Sequence, residues 1–246
     1  MDRFFVEPAE LRGDRVSLGK AHAHQICRVL RLRPGDRIVV LDNTGSEFEV
    51  SLTAVDPAKA EGRILATRSA QGEPRVDLTL YQGLLARDKF EQVLQKGTEV
   101  GVRRFVPVIT ERSIVRDAHA FTEGRMLRWH RILTEAAEQS GRGLVPELRP
   151  PIRFEQGWAG QGVGAQLIGC PGPASPSLHE VLADAPGPRA VGLWIGPEGG
   201  FSDGEVALAR SAGCRPFSLG RRILRTETAA MIASALVLYE LRQLED

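Results

Sequence analysis

From about residue 75 onward the chain alternates strand-length apolar runs with amphipathic stretches, and few folds accept that alternation. Val76–Leu80, Phe105–Ile109, Gln166–Gly169, Ala190–Ile195 and Arg215–Leu219 are short runs that fit buried strands. Between them, Asp88–Val100 sets Phe90, Val93, Leu94 and Val100 at helical spacing. Arg125–Ser140 gathers Met126, Leu127, Ile132, Leu133, Ala136 and Ala137 on one broad side. Ser202–Ala212 opens with Ser202 and, three residues later, Glu205, which is a capping box. Thr226–Leu241 reads as the last helix. Strand followed by helix, repeated, predicts an α/β domain over 75–246 with a mostly parallel sheet.

The first 70 residues read differently. Val16–Leu18, Arg37–Leu41, Phe48–Leu52 and Arg63–Ala66 are short strands, with turn chemistry at Pro34-Gly35-Asp36 and Asp42-Asn43-Thr44-Gly45. One short helix is expected near His22–Leu30. This predicts a small N-terminal β-barrel over 1–70, joined to the α/β part through the polar stretch Ser69–Pro74.

Composition narrows the function classes. Of 246 residues, 42% are hydrophobic, enough for a sizeable core, and the net charge is +1. That balance excludes a polybasic or an acidic disordered chain and, taken alone, speaks against a nucleic-acid partner. Only four of the 32 basic residues are lysines, so the cations are nearly all arginine, whose planar fork suits phosphate and base edges. Cys27, Cys170 and Cys214 are odd in number and far apart, which fits neither a disulfide framework nor a zinc site. No signal-peptide core or membrane-length apolar run is read, so a cytoplasmic protein without membrane or metal is the expectation.

Two loops carry the chemistry. Ile195-Gly196-Pro197-Glu198-Gly199-Gly200-Phe201-Ser202 packs three glycines and a proline between a strand and a helix, so a ligand can approach the backbone closely. Ser218-Leu219-Gly220-Arg221-Arg222-Ile223-Leu224-Arg225 brings three arginines to the start of an alanine-rich helix. An arginine there opposes the helix dipole, so Arg225 calls for an anion; Glu198 or Glu227 would orient it. The G-x-G-x-x-A run at Gly160–Ala165 precedes a strand instead of following one, which argues against a dinucleotide fold. P-loop and G-x-S-x-G motifs are absent, and His22, His24, His119, His130 and His179 are scattered.

WIGPEGGFSDGE followed by SLGRRILRTETA resembles the paired signature of the RsmE family, the 16S ribosomal RNA (uracil-N3)-methyltransferases of the SPOUT superfamily. HQICRVLRLRPGDRI is similar to that family's PUA-like barrel, and KFEQVLQKGTEVGVRRFVPVITERSIV and RWHRILTEAAEQSGRGLVPEL to its next elements. Two departures stand out: Ala86 where the family often carries lysine, and Gly97 where alanine is common. The resemblance implies a trefoil knot, a homodimer and S-adenosylmethionine held by the knot loops. It implies a cofactor cradle of Ile168, Gly169, Gly196, Pro197, Glu198, Gly199, Gly200, Leu219, Gly220, Ile223 and Leu224. The catalytic set is then Arg225, Glu198 and Glu227, with Arg225 stabilising the charge that develops on the uracil. The partner is 16S ribosomal RNA or the small ribosomal subunit. Arg3, Lys20, Arg28, Arg31 and Arg33, with Arg37, are the RNA-gripping candidates, since Asp36 is the one acid between 20 and 37. Competing readings are a ribose 2′-O-methyltransferase of the same fold and a non-catalytic RNA-binding assembly factor.

Overall fold

The computed structural model describes residues 1–113, 122–158, 164–172, 175–183 and 189–244. His119 and residues 160–163 of the G-x-G-x-x-A run lie outside them. Contacts divide the chain into two compact units. One is Met1–Glu73 with Ala137–Val145; the other is Pro74–Ala136 with Pro146–Asp246. The first division falls in the polar stretch 69–74, whereas Ala137–Val145, which the sequence pattern puts in the second part, groups with the first.

The first unit is a six-stranded sheet of β1 (Arg3–Phe5), β2 (Leu11–Arg12), β3 (Arg15–Leu18), β4 (Arg37–Leu41), β5 (Ser46–Val55) and β6 (Ala60–Ser69), in the order β1-β4-β5-β6-β3-β2. β5 and β6 extend well beyond the predicted 48–52 and 63–66. Register shifts at Glu49/Val50 and Leu52/Ala54 bend that long pair. The sheet closes on an aliphatic core that includes Val16, Leu18, Ile38, Val40, Val50 and Leu52. Strand β3 shows the reason, alternating exposed Arg15 and Ser17 with buried Val16 and Leu18. β1 pairs in parallel with β4 and was not predicted, because three residues carry no periodicity. The predicted helix 22–30 splits into α1 (Lys20–His24) and a π-helical turn over Gln25–Val29. Leu30 N–H donates to the Gln25 carbonyl at 2.9 Å, and Arg31 then takes a left-handed φ of 58°.

Three side chains hold Ala137–Val145 to this unit. Glu138 Oε1 accepts Phe5 N–H at 2.9 Å, and Asn43 Oδ1 accepts Val145 N–H at 2.8 Å. Glu73 accepts from the Arg142 guanidinium at 2.7 Å and from the amides of Gly143 and Leu144, both at 3.1 Å. Arg142 is 2% exposed, so its guanidinium is buried together with that carboxylate.

The second unit is an all-parallel sheet in the order β10-β8-β7-β12-β11-β13. Its strands are β7 (Asp77–Gly83), β8 (Arg104–Ile109), β10 (Ile152–Arg153), β11 (Ala165–Gly169), β12 (Ala190–Ile195) and β13 (Arg215–Phe217). A short β9 (Glu147–Leu148) also pairs with β8. The helices are α2 (Arg87–Val100), α4 (Leu178–Ala183), α5 (Asp203–Ser211), α6 (Thr226–Glu240) and, up to Ala136, α3 (Glu123–Ser140). β12 is buried at every position from Val191 to Ile195, as a covered parallel strand requires. Tyr81 and Trp158 both stack with Trp194, at ring-centroid distances of 4.0 and 4.2 Å. Gly97 is explained by packing: a Cβ there would stand 2.7 Å from the Phe105 ring, so close approach outweighs the helix propensity it lacks. No helix among the described residues is long and apolar enough to cross a membrane.

Removing Glu73 takes a carboxylate from a buried guanidinium and an acceptor from two amides. Glu73→Ala is expected to destabilise the protein by about 3–5 kcal/mol, read as a fall in the urea midpoint. A midpoint within experimental error of wild type would contradict this account of the 137–145 segment.

Candidate cofactor cavity and RNA-facing residues

Parallel strands deliver their C-terminal ends to one edge of the sheet, where ligands of α/β proteins gather. β11 ends at Gly169, β12 at Ile195 and β13 at Phe217. The loop after β12 turns tightly: Gly200 N–H donates to the Pro197 carbonyl at 2.9 Å, and Gly200 takes a left-handed φ of 67°. The capping box then starts α5, with Ser202 N–H donating to Glu205 at 2.8 Å and Glu205 N–H donating to Ser202 Oγ at 3.3 Å. After β13, Ser218 Oγ and the backbone of Gly220 bond each other in both directions at 3.2 Å, which turns the chain toward α6.

These loops enclose a cavity of about 720 Å³. Of the residues expected at a cofactor cradle, Gly169, Gly196, Pro197, Glu198, Gly199, Gly200, Leu219, Gly220, Ile223 and Leu224 line it. Ile168 does not; it is fully buried in β11 and packs into the core beneath. Arg225 and Glu227 line the same cavity. Arg225 is the N-cap residue of α6, exposed, with no side-chain capping bond. Glu227 lies in the first turn of α6, where the dipole favours a carboxylate, and is 8% exposed. Its Oε2 is buried without a hydrogen-bond partner. Ile223 is 90% exposed at the cavity.

Glu198 or Glu227 was expected to orient Arg225, and among the described residues Arg225 forms an ion pair with neither. Glu198 Oε1 accepts from Lys89 Nζ at 2.9 Å instead, because the start of α2 brings Lys89 to the glycine loop. Lys89 is one of the four lysines of an arginine-dominated chain, the one sequence signal that would have marked it. Cys170 also lines the cavity and was not singled out. Burial raises the Cys170 thiol above its ordinary range. Burial, with Cys170 nearby, pushes Cys214 up to about 12. Among the described residues, no group of three or more His, Cys, Asp or Glu side chains is placed to hold a metal.

The structure divides the basic residues of the first unit by their partners. Arg3 pairs with Glu47 at 2.6 Å, and Arg37 and Arg68 both pair with Glu49, at 2.7 and 2.6 Å. Lys20, Arg28, Arg31 and Arg33 are exposed and form no ion pair among the described residues. Arg28 lies in the π-helical turn and the other three flank it, and Val29 beside Arg28 is 65% exposed.

The Cys214 thiol is protonated when folded and ionises near 8.5 when unfolded, so stability falls as pH rises above about 8.5 toward 12. At pH 8 Cys214 is expected to resist iodoacetamide in the folded protein and to react once guanidinium is added, as mass spectrometry reads. Labelling of native Cys214 at the unfolded rate would contradict this.

Two family models match the chain. An RNA methyltransferase domain covers residues 72–238 and an RNA methyltransferase PUA domain covers 21–65. The chain is 36% identical to the ribosomal RNA small subunit methyltransferase E of Synechocystis sp., over 96% of this chain and 76% of that one. It is 28% identical to the Bacillus subtilis protein of the same name, over 98% and 97%. Among solved structures, the Neisseria gonorrhoeae ribosomal RNA small subunit methyltransferase E, bound to S-adenosyl methionine, superposes with a TM-score of 0.86 at 34% identity over 97% of each chain. A putative methyltransferase from Legionella pneumophila, also in complex with that cofactor, gives 0.86 at 32% identity over 96% of each chain. With its PUA sheet, its parallel methyltransferase sheet and a cavity between two glycine-bearing loops, this chain belongs to the ribosomal RNA small subunit methyltransferase E family.

Proposed function

We propose that this protein methylates N3 of a uracil in 16S ribosomal RNA with S-adenosylmethionine as methyl donor. The observation that carries the reading is the convergence of both motif loops, Arg225 and Glu227 on one cavity of about 720 Å³ in a chain of this family. The cavity suits the donor. Its walls combine apolar side chains such as Leu219 and Leu224 with glycine backbone, and Glu227 offers a buried carboxylate oxygen that lacks a partner. A cationic ligand supplies what that oxygen lacks. The cradle is Gly169, Gly196–Gly200, Leu219, Gly220, Ile223 and Leu224, with Ile168 supporting it from the core.

When bound, the donor supplies an electrophilic methyl group, so the protein's work is to position the base and stabilise its charge. Uracil N3 becomes a good nucleophile only as its proton passes to solvent water, and negative charge then spreads to O2 and O4 until the methyl group bonds to N3 and the neutral thioether leaves. Arg225 is a permanent cation at the cavity, exposed and without a capping bond of its own, and it receives that charge. Glu198, held by Lys89, keeps the glycine loop in place, and Glu227 faces the cationic ligand.

The sheet over residues 1–70 grips RNA, and residues 75–246 carry out the transfer. Lys20, Arg28, Arg31 and Arg33 make the grip, because their charge is not spent on a neighbouring carboxylate; Arg3 and Arg37 contribute less. The family's trefoil knot belongs to the same reading, supported by the bond from Thr226 to the Gly196 carbonyl, which ties the start of α6 to the loop after β12. A homodimer is supported by α6, which carries exposed Ile232, Leu236 and Tyr239 at helical spacing opposite its buried side. The substrate is the small ribosomal subunit, and the setting is the cytoplasm.

Arg225→Ala is expected to lower the methylation rate by about 10²–10³ while the Kd for S-adenosylmethionine stays near wild type; an unchanged rate would discard Arg225 as the charge stabiliser. For RNA, log K should fall linearly with log salt, and Arg28→Ala or Arg31→Ala should each flatten the slope by about 0.7. Equal slopes in all three proteins would remove these arginines from the interface. Ile232→Glu with Leu236→Arg should give a monomer by light scattering; a dimer of undiminished stability would place the interface elsewhere.

A further inference from the structure

We infer that Gln82 and Thr226 are positioning residues for methyl transfer, forming a buried stitch that fixes the start of α6, and so Arg225, against the glycine loop after β12. The inference rests on the reading of Arg225 given above.

Gln82 is an amide inside an apolar run, at the C-terminal end of β7 and opposite Ile195 of β12. It is fully buried. Its Nε2 donates to Thr226 Oγ1 at 3.1 Å and to the Gly83 carbonyl at 3.0 Å, with the carbonyls of Ile195 and Gly196 both at 3.4 Å. Thr226 Oγ1 donates onward to the Gly196 carbonyl at 2.5 Å. The hydroxyl therefore accepts from β7 and donates to the glycine loop, and its rotor is fixed at both ends. Thr226 is the first residue of α6 and is bonded covalently to Arg225.

Two further observations set this apart from ordinary satisfaction of buried carbonyls. Gln82 Oε1 is itself buried without a partner, so the amide leaves one polar end unmet while its donor end serves the loops. Gly83, the next residue, would place a Cβ 2.5 Å from both Cδ and N of Pro197. The glycine loop thus rests directly on the end of β7. That strand end is a floor to which both motif loops are tied. Since misplacement of a reacting group by about 1 Å costs on the order of 100-fold in rate, a fixed floor is what a cation beside the glycine loop needs.

The test uses the full-length protein with unmodified small ribosomal subunits and labelled S-adenosylmethionine. Thr226→Val and Gln82→Met should each lower kcat at least 10-fold, with KM for the subunit and Kd for the donor within about threefold of wild type. Thr226→Ser should restore kcat to within about threefold. In an Arg225→Ala background, Thr226→Val should cost no more than about twofold further. Unchanged kcat in both variants, or the same loss in both backgrounds, overturns the proposal. Should wild type transfer no methyl group to the subunit, the functional reading fails by itself. Hydrogen exchange then judges the stitch: faster exchange at residues 196–200 and 225–229 in Thr226→Val supports it, and unchanged exchange overturns it.

Discussion

The parallel pairing of the second sheet is the constraint on which the site depends. Parallel neighbours must be joined by crossovers, so every strand runs the same way and the C-terminal ends of β7, β12, β11 and β13 arrive at one edge. Three of those ends carry residues with little side chain or none: Gly83, Gly169 and Gly196. Where side chains are missing, backbone is exposed to a ligand, and loops can lie on strand ends as Pro197 lies on Gly83. The cavity is a consequence of this edge. It required no dedicated domain, only the choice of glycine at the points where the chain leaves the sheet.

The start of α6 concentrates the electrostatics. A helix N-terminus favours a carboxylate and disfavours a cation, and the chain places one of each within three residues. Glu227 sits inside, buried, with one oxygen unmatched; Arg225 sits outside, exposed and uncapped. On the proposed reading the two poles have different clients, a cationic methyl donor and an anionic base. Their separation along the chain is fixed by the covalent backbone, and Thr226 between them is bonded to Gly196.

What the sequence disclosed follows from the range of each signal. The two glycine loops were legible because glycine, proline and arginine act on their own backbone, within a few residues. The capping box at Ser202 was legible for the same reason. Lys89 and Glu198 were not read as a pair because 109 residues separate them and neither has local conformational meaning. Ala137–Val145 has the apolar spacing of the helix it ends, and nothing in that spacing shows that Glu73, Glu138 and Asn43 bind it to the first unit. The π-helical turn was hidden because a helical pattern over nine residues does not distinguish bonds to the fourth residue back from bonds to the fifth. Gln82 did carry a signal, one amide in an apolar strand, but its meaning depended on what lay above it.

Net charge misleads for a related reason. A value of +1 weighs every arginine equally, whereas only an unpaired one has charge to offer a phosphate. Arg3, Arg37, Arg63 and Arg68 are matched by Glu47, Glu49 and Asp14 along the first sheet. Those acids cancel arginines that hold strands together, and they enter the total with the same weight as the cations near the π-helical turn. Between residues 20 and 37, where Lys20, Arg28, Arg31, Arg33 and Arg37 meet one acid, Asp36, the balance is locally positive. A near-neutral protein can therefore present a polyanion with a cationic surface, provided its acids are used up elsewhere. In this chain Glu47, Glu49 and Asp14 are used in that way around the first sheet.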